Sequence, residues 1–203
     1  KNMLGASGNE QLGFYSAALR IMPFVLLIPL MLSKAVAPSL IKAQETDFHK
    51  YEERSQIFMD VMTWIGVGLS VILFLYAHPI IFLYGDSYNA ATPLLKIIAW
   101  KGLFNSMSVA ASLLIITEGL QKWAVLRNLA GCAVNICLNI LLIPKWQAVG
   151  AAYATLISMV VSSFLAHSIL PPYRLIFKLQ VTALFSGVLR LVRLVLTNLK
   201  RSG

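Results

Sequence analysis

The chain has 203 residues, of which 58% belong to the hydrophobic set AVILMFWYC and only 12% are charged. A soluble domain has about 45–50% apolar and about 25% charged residues, so this chain has too few polar side chains to cover a water-exposed surface. The composition excludes a disordered protein, a nucleic-acid module and an ordinary cytosolic enzyme, and it predicts a membrane protein. The formal net charge is +9. The basic residues lie between apolar segments, which is the positive-inside pattern of membrane proteins, so no nucleic-acid partner is predicted.

Five apolar segments follow one another, each long enough for a membrane helix of about 20 residues. They are Phe14–Ile41, Ile57–Tyr84, Ala90–Thr117, Trp123–Ile143 and Val149–Leu170. The first contains three prolines, which membrane helices tolerate as kinks. Between segments, Lys42–Gln56 is typical of a solvated loop or a short surface helix, and Gly85–Asn89 of a turn. The predicted fold is an all-α, polytopic membrane bundle of about five transmembrane helices plus a C-terminal amphipathic helix.

The tail differs from the preceding segments. Residues 1–175 are expected to form the membrane bundle and residues 176–203 a basic amphipathic tail. Leu179–Leu199 is apolar but includes Arg190 and Arg193, which favours a helix lying on the cytoplasmic membrane surface. A sixth span is the alternative, because the first part of this stretch is quite apolar.

Basic residues predict the orientation of the bundle. Lys42–Arg54, Lys122–Arg127 and Arg174–Lys178 fall on one side of the membrane if five spans alternate, and that side is then cytoplasmic. The C-terminus is expected to be cytoplasmic as well, and Gly85–Asn89 to lie outside a bacterial inner membrane. Lys1 is not an initiator Met and no signal peptide is visible, so we expect a fragment.

Ionisable residues inside the apolar segments are candidate functional groups, because burying a charge in lipid is costly. Lys101 is the most interior. Lys96 precedes it by about one and a half helical turns, which would let both face one cavity. Arg20 lies near the outer end of the first segment. These three cations are candidate ligands for an anionic group such as phosphate or pyrophosphate. The structural alternative for Lys96 is a side chain that extends to the membrane interface.

Other polar residues have weaker functional interpretations. Three asparagines fall near one helix face and could join helices or line a cavity; they are Asn128, Asn135 and Asn139. Asp60 is expected to cap its helix or to pair with Arg54, and Arg127 to set topology. There are no paired membrane carboxylates, no nucleophile elbow and no glycine-rich phosphate loop. We therefore expect no enzyme, no catalytic residue, no cofactor and no metal.

Three stretches resemble a known family when they are taken together. The first is Met3–Gly5 followed by Leu12–Arg20, the second is Ile80–Ala91, and the third is Asn135–Trp146 leading into Val149–Thr155. Their order and spacing resemble the C-terminal half of the bacterial polysaccharide flippases. These are the O-antigen and exopolysaccharide transporters of the multidrug/oligosaccharidyl-lipid/polysaccharide exporter superfamily. The resemblance covers about residues 1–175.

The resemblance implies a fold and an activity. Such proteins look like two six-helix bundles that face each other in a V around a central cavity, and this chain would contain the eighth to twelfth helices. The N-terminal bundle would be a missing partner. The substrate would be undecaprenyl-pyrophosphate-linked oligosaccharide, which moves from the cytoplasmic to the periplasmic leaflet while its lipid tail stays in the membrane lipid. Arg20, Lys96 and Lys101 would accompany the pyrophosphate.

Other functions stay open at this point. A flippase for lipid-linked peptidoglycan precursors is a close variant, whereas a drug or cation antiporter fits less well because the candidate residues are cationic. A membrane-embedded polysaccharide polymerase, or another enzyme of cell-envelope assembly, would be expected to have a large outer loop. A truncated remnant without transport activity is a third class.

Overall fold

A computed structural model describes residues 8–202 of the chain, and this range is helical with short connections and contains no strand. Met3–Gly5 of the first motif and Gly203 of the tail lie outside the described residues. The α-helices are α1 (Gly8–Leu19), α2 (Met22–Thr46), α3 (Phe48–Leu75), α4 (Ala77–Phe82), α5 (Thr92–Ala99), α6 (Lys101–Thr117), α7 (Gln121–Val160), α8 (Ala166–Ile169) and α9 (Arg174–Ser202). Asp86–Ala91 and Pro171–Tyr173 are 3₁₀ turns, and Val161–Leu165 is a π-helical turn.

Five helical stretches are long and apolar enough to cross a membrane. They are Gln11–Thr46, Phe48–Leu75, Ser87–Thr117, Gln121–Ile169 and Pro171–Thr197. The prediction of an all-α, multi-pass membrane bundle is therefore confirmed. The fourth stretch contains two of the predicted segments, and the fifth is the tail, which has the length and composition of a span.

Helix α7 reverses its direction at Gln147. This residue has φ 48° and ψ −128°, far from helical values. Asn135 Nδ2 lies 3.1 Å from Ser158 Oγ, although residues this far apart in a straight helix would be separated by about 35 Å. Residues 121–146 (the first arm) and 148–160 (the second arm) thus form an antiparallel hairpin, in agreement with the two segments predicted there.

The hairpin closes because Gly150 has no side chain. A Cβ atom at Gly150 would contact the Leu142 backbone carbonyl, which cannot move aside as a side chain could. We expect Gly150→Ala to lower the free energy of unfolding by about 1–3 kcal/mol, as overpacking does. Thermal unfolding of the purified protein in detergent measures this. Gly68→Ala is the matched control, because a Cβ there meets nothing within 4 Å. Equal melting temperatures for the two variants would contradict the prediction.

Helices α2 and α3 are joined by Asp47 alone. The polar stretch Lys42–Gln56, predicted as a loop or short surface helix, instead continues both long helices beyond the apolar segments. Asp47 Oδ1 accepts a hydrogen bond of 3.2 Å from the Lys50 amide and so caps α3. This bond lowers the pKa of the Asp47 carboxyl from its ordinary 3.8. The ionised Asp47 cap therefore stabilises the folded chain above pH 3.8, and this contribution is lost as the pH falls through the lowered pKa.

The centre of the bundle is the contact between α3 and α6. A Cβ atom on Gly66 would lie 2.9 Å from Leu103 Cα, and one on Gly102 would lie 2.7 Å from Ser70 Oγ. The Ser70 hydroxyl accepts a hydrogen bond of 2.9 Å from the Leu103 amide. Small residues thus let the two backbones approach closely, as is common between membrane helices.

Two apolar clusters lie at opposite ends of this central pair. One joins the end of α2, the start of α3, the end of α6 and the start of α9. The other joins the start of α2, the end of α3, α5 and the second arm of α7. We call these the first and second ends of the bundle. The basic stretches predicted to be cytoplasmic are all at the first end.

The tail helix α9 packs along α3 through an ion pair in the apolar layer. Asp60 is completely buried, and both its carboxylate oxygens accept 2.7 Å bonds from Arg190. Gly187 allows the close approach, since a Cβ there would lie 2.9 Å from Trp64 Nε1. The expected pairing of Asp60 with Arg54 is wrong, because Arg54 donates to Ser39 instead. These contacts favour the alternative in which α9 is a sixth span.

Candidate functional site

A polar cavity of about 380 Å³ lies between the start of α6 and the two arms of α7. Its polar lining residues are Lys101, Asn128, Asn135, Thr155, Ser158 and Ser162. We call it the Lys101 cavity. The structure thus brings together one predicted cation and two predicted asparagines, which the sequence placed in separate segments.

The hairpin of α7 positions the neutral groups of this cavity. Gly131 on the first arm lets Ser162, in the π-helical turn after the second arm, approach closely, because a Cβ at Gly131 would lie 2.6 Å from Ser162 Cβ. Asn135 donates to Ser158 Oγ at 3.1 Å, and Asn139 Nδ2 donates to Asn135 Oδ1 at 2.9 Å. These bonds hold the amides of Asn135 and Asn139 in fixed directions, and both residues also line a cavity.

Asn139 lines a neighbouring cavity of about 470 Å³. This second cavity shares Asn135 and Thr155 with the first and reaches Tyr15 on α1. The Tyr15 hydroxyl lies 2.7 Å from Thr155 Oγ1. The two adjoining cavities therefore place hydrogen-bonding groups at Lys101, along the hairpin and at Tyr15 on α1.

Lys101 provides the positive charge of the site. It is the first residue of α6 and is only partly exposed. The salt bridges of the described residues are Lys50 with Asp47 and Arg190 with Asp60, so no described carboxylate neutralises Lys101. An ammonium group among amides and hydroxyls suits an anionic ligand that also carries hydroxyl groups.

The other two predicted cations lie elsewhere. The described residues that line the Lys101 cavity do not include Lys96, which belongs to α5, whereas Lys101 begins α6. Lys96 is exposed, and its Nζ lies 5.5 Å from the Phe74 ring centre. Arg20 is exposed at the break between α1 and α2 and lines a separate pocket with Tyr84 and Tyr88.

A buried hydrogen-bonded chain was not foreseen from the sequence. Arg127, expected to set topology, is only 7% exposed, and its Nη1 lies 3.2 Å from His167 Nε2. An arginine can only donate, so His167 Nε2 accepts and its Nδ1–H donates to Gln180 Oε1 at 2.9 Å. Gln180 then donates to the carbonyl of Ser163 in the π-helical turn. The chain ties α7, α8 and α9 together at the first end.

Lys34 is a further cation inside an apolar segment. It lies at the midpoint of α2 and lines a groove of about 390 Å³ between α2 and α6. Its position deep in an apolar segment is the sequence signal that identifies Lys34 as a candidate functional residue. Among the described residues there is no cluster of three or more metal-binding side chains.

Comparison with known proteins places this helical bundle in a family. The chain is 28% identical over 166 residues to a protein of Haloferax volcanii named "Probable flippase AglR". The match covers 78% of this chain and 34% of that relative, so the chain spans about a third of the relative's length. No solved structure matches. Residues 2–141, well over half of the chain, match the MatE family. The chain therefore belongs to the MatE family.

Proposed function

We propose that the protein flips a lipid-linked oligosaccharide, or a polysaccharide repeat unit, from the cytoplasmic to the periplasmic leaflet of a bacterial inner membrane. The observation that carries the proposal is the Lys101 cavity. Lys101, which has no salt bridge to a described carboxylate, lines that cavity with amides and hydroxyls, and a pyrophosphate with attached sugar offers the complementary groups. The name of the Haloferax volcanii relative, a probable flippase, supports the same reaction class.

The substrate in this proposal is undecaprenyl-pyrophosphate-linked oligosaccharide. Its diphosphate would bind Lys101 and its sugars the asparagines and serines, while the lipid tail stays in the bilayer. Arg20 would meet the same anionic group at its own pocket beside Tyr84 and Tyr88, and Lys96 at the membrane interface. No covalent step is required, so the proposed protein is a transporter and not an enzyme.

A second bundle of helices would complete the proposed cavity. The Lys101 cavity is open on one side, and a transporter needs a wall that can rock against this one to expose the site to either leaflet in turn. The N-terminal bundle of a flippase is the partner we propose. Residues 1–175 would be its counterpart, with 176–203 as an added helix.

Depletion of the protein in its native host tests the proposed function. We expect surface polysaccharide to fall while lipid-linked oligosaccharide accumulates, because synthesis continues on the cytoplasmic side when flipping stops. A polymerase would instead leave single repeat units exported and shorten the chains. No change in either pool would indicate a remnant without transport activity.

A further inference from the structure

Lys34 lies as far from the ends of its helix as any residue of α2 can. With a rise of 1.5 Å per residue, it is about 18 Å from Met22 and from Thr46. The apolar part of α2 ends at Ile41, about 10 Å along the helix from Lys34. The four-carbon stem of a lysine is shorter than that distance, so the ammonium group does not reach the membrane interface along α2. A cation at this depth requires polar surroundings.

The polar surroundings come from one face of α6. Asn105, Ser108 and Ser112 line the groove together with Lys34 and its neighbour Ser33. Their spacing of three and four residues places them in one row on the helix. Lys101 is four residues before Asn105 in the same row, so this row leads from the Lys101 cavity to Lys34.

The groups in this groove have hydrogen-bonding capacity to spare. Among the described residues, no carboxylate pairs with Lys34. Ser112 donates back to the Ser108 carbonyl at 2.7 Å, which leaves its oxygen able to accept. Lipid chains offer no partner for an ammonium group or an amide. The groove is therefore suited to a ligand that carries both negative charge and hydroxyl groups.

We infer that Lys34 and the Asn105–Ser112 row form a second binding station for the transported substrate, separate from the Lys101 cavity. The station binds an anionic group of the lipid-linked glycan through Lys34 and sugar hydroxyls through the asparagine and serines. This inference rests on the proposed function. The anionic group has two possible sources, the diphosphate bridge and an acidic sugar of the glycan.

Substitution of Lys34 at the chromosomal gene of the native host tests the station. Lys34→Ala is expected to reduce surface polysaccharide about tenfold or more at unchanged protein abundance, the effect of losing a charge-assisted hydrogen bond. Lys34→Arg keeps the charge and should retain most export. Lys42→Ala is the matched control, since Lys42 is exposed near the end of the same helix. Normal export by Lys34→Ala, or equal loss with alanine and arginine, would overturn the inference.

Two further arms separate the possible failures and the two sources. If depletion of the protein leaves lipid-linked oligosaccharide unchanged, the proposed function itself fails; if depletion matters and Lys34→Ala does not, only the station fails. The purified protein is then titrated with inorganic pyrophosphate and with hexagalacturonate. Loss of pyrophosphate binding in Lys34→Ala assigns the diphosphate, and loss of hexagalacturonate binding assigns an acidic sugar. Unchanged binding of both probes by Lys34→Ala contradicts the station.

Discussion

Replacing Arg190 by alanine is expected to lower the free energy of unfolding by about 3–5 kcal/mol, the typical cost of removing one partner of a buried ion pair. Asp60 is fully buried, and besides Arg190 it receives one hydrogen bond, from Gln56 at 2.8 Å. Without Arg190 its carboxylate would face apolar surroundings with that single partner. Thermal unfolding in detergent and protein abundance in the membrane measure the effect.

Two further variants separate charge from packing at this site. Arg193→Ala is the matched control, because Arg193 lies on the same helix and is exposed; it should melt like the natural protein. The double replacement of Asp60 and Arg190 by leucine should recover most of the stability, since paired removal leaves no isolated charge. If Arg190→Ala melts like Arg193→Ala, the ion pair does not hold α9 to α3.

Replacing Lys101 by alanine is expected to reduce surface polysaccharide by tenfold or more, with lipid-linked oligosaccharide accumulating and protein abundance unchanged. The physical reason is the loss of the cation that the described residues contribute to the Lys101 cavity, which is worth about a charge-assisted hydrogen bond to the diphosphate. Extraction and quantification of the lipid-linked pool, beside the surface polymer, measure both sides of the transport step.

The controls for Lys101 ask whether charge is the property that matters. Lys101→Arg keeps the charge and should retain part of the export. Lys122→Ala removes an exposed lysine whose Nζ lies 6.0 Å from the Trp123 ring centre at the start of α7, and it should export normally. Full export by Lys101→Ala would remove the main support for a cationic substrate site.

Segment hydropathy predicts most of this fold because apolar length is a local property. The two segments around Gln147 appear as the two arms of α7, and the membrane bundle follows from composition. The polar stretch after Ile41 misleads, since long helices of a membrane protein can extend into water where charged side chains are solvated. Hydropathy also does not predict the boundary between α5 and α6 at Trp100, because this residue lies inside one apolar segment. Its backbone angles stay near helical values.

Site residues are less accessible from sequence because tertiary contacts decide them. Asp60 and Arg190 are 130 residues apart, and a nearer arginine is the better local guess. In the sequence, Arg127 looks like the other basic residues near it. Its hydrogen bond to His167, 40 residues away, is visible only in the folded structure. The hairpin of α7 packs beside α6, which brings Lys101, Asn128 and Asn135 into one cavity. Helix periodicity within one segment cannot predict such a contact between segments.

The single-residue connection at Asp47 has a mechanical consequence. Because one residue joins α2 to α3, their ends stay together at the first end, and a tilt of one helix there moves the end of the other. At the second end the chain is interrupted at Arg20–Ile21, at Tyr76 and at Trp100, and each interruption is a place where a helix can pivot. We therefore expect α1, α4 and α5 to change their angles to the α2–α3 pair at these interruptions, while Asp47 keeps α2 and α3 together at the first end.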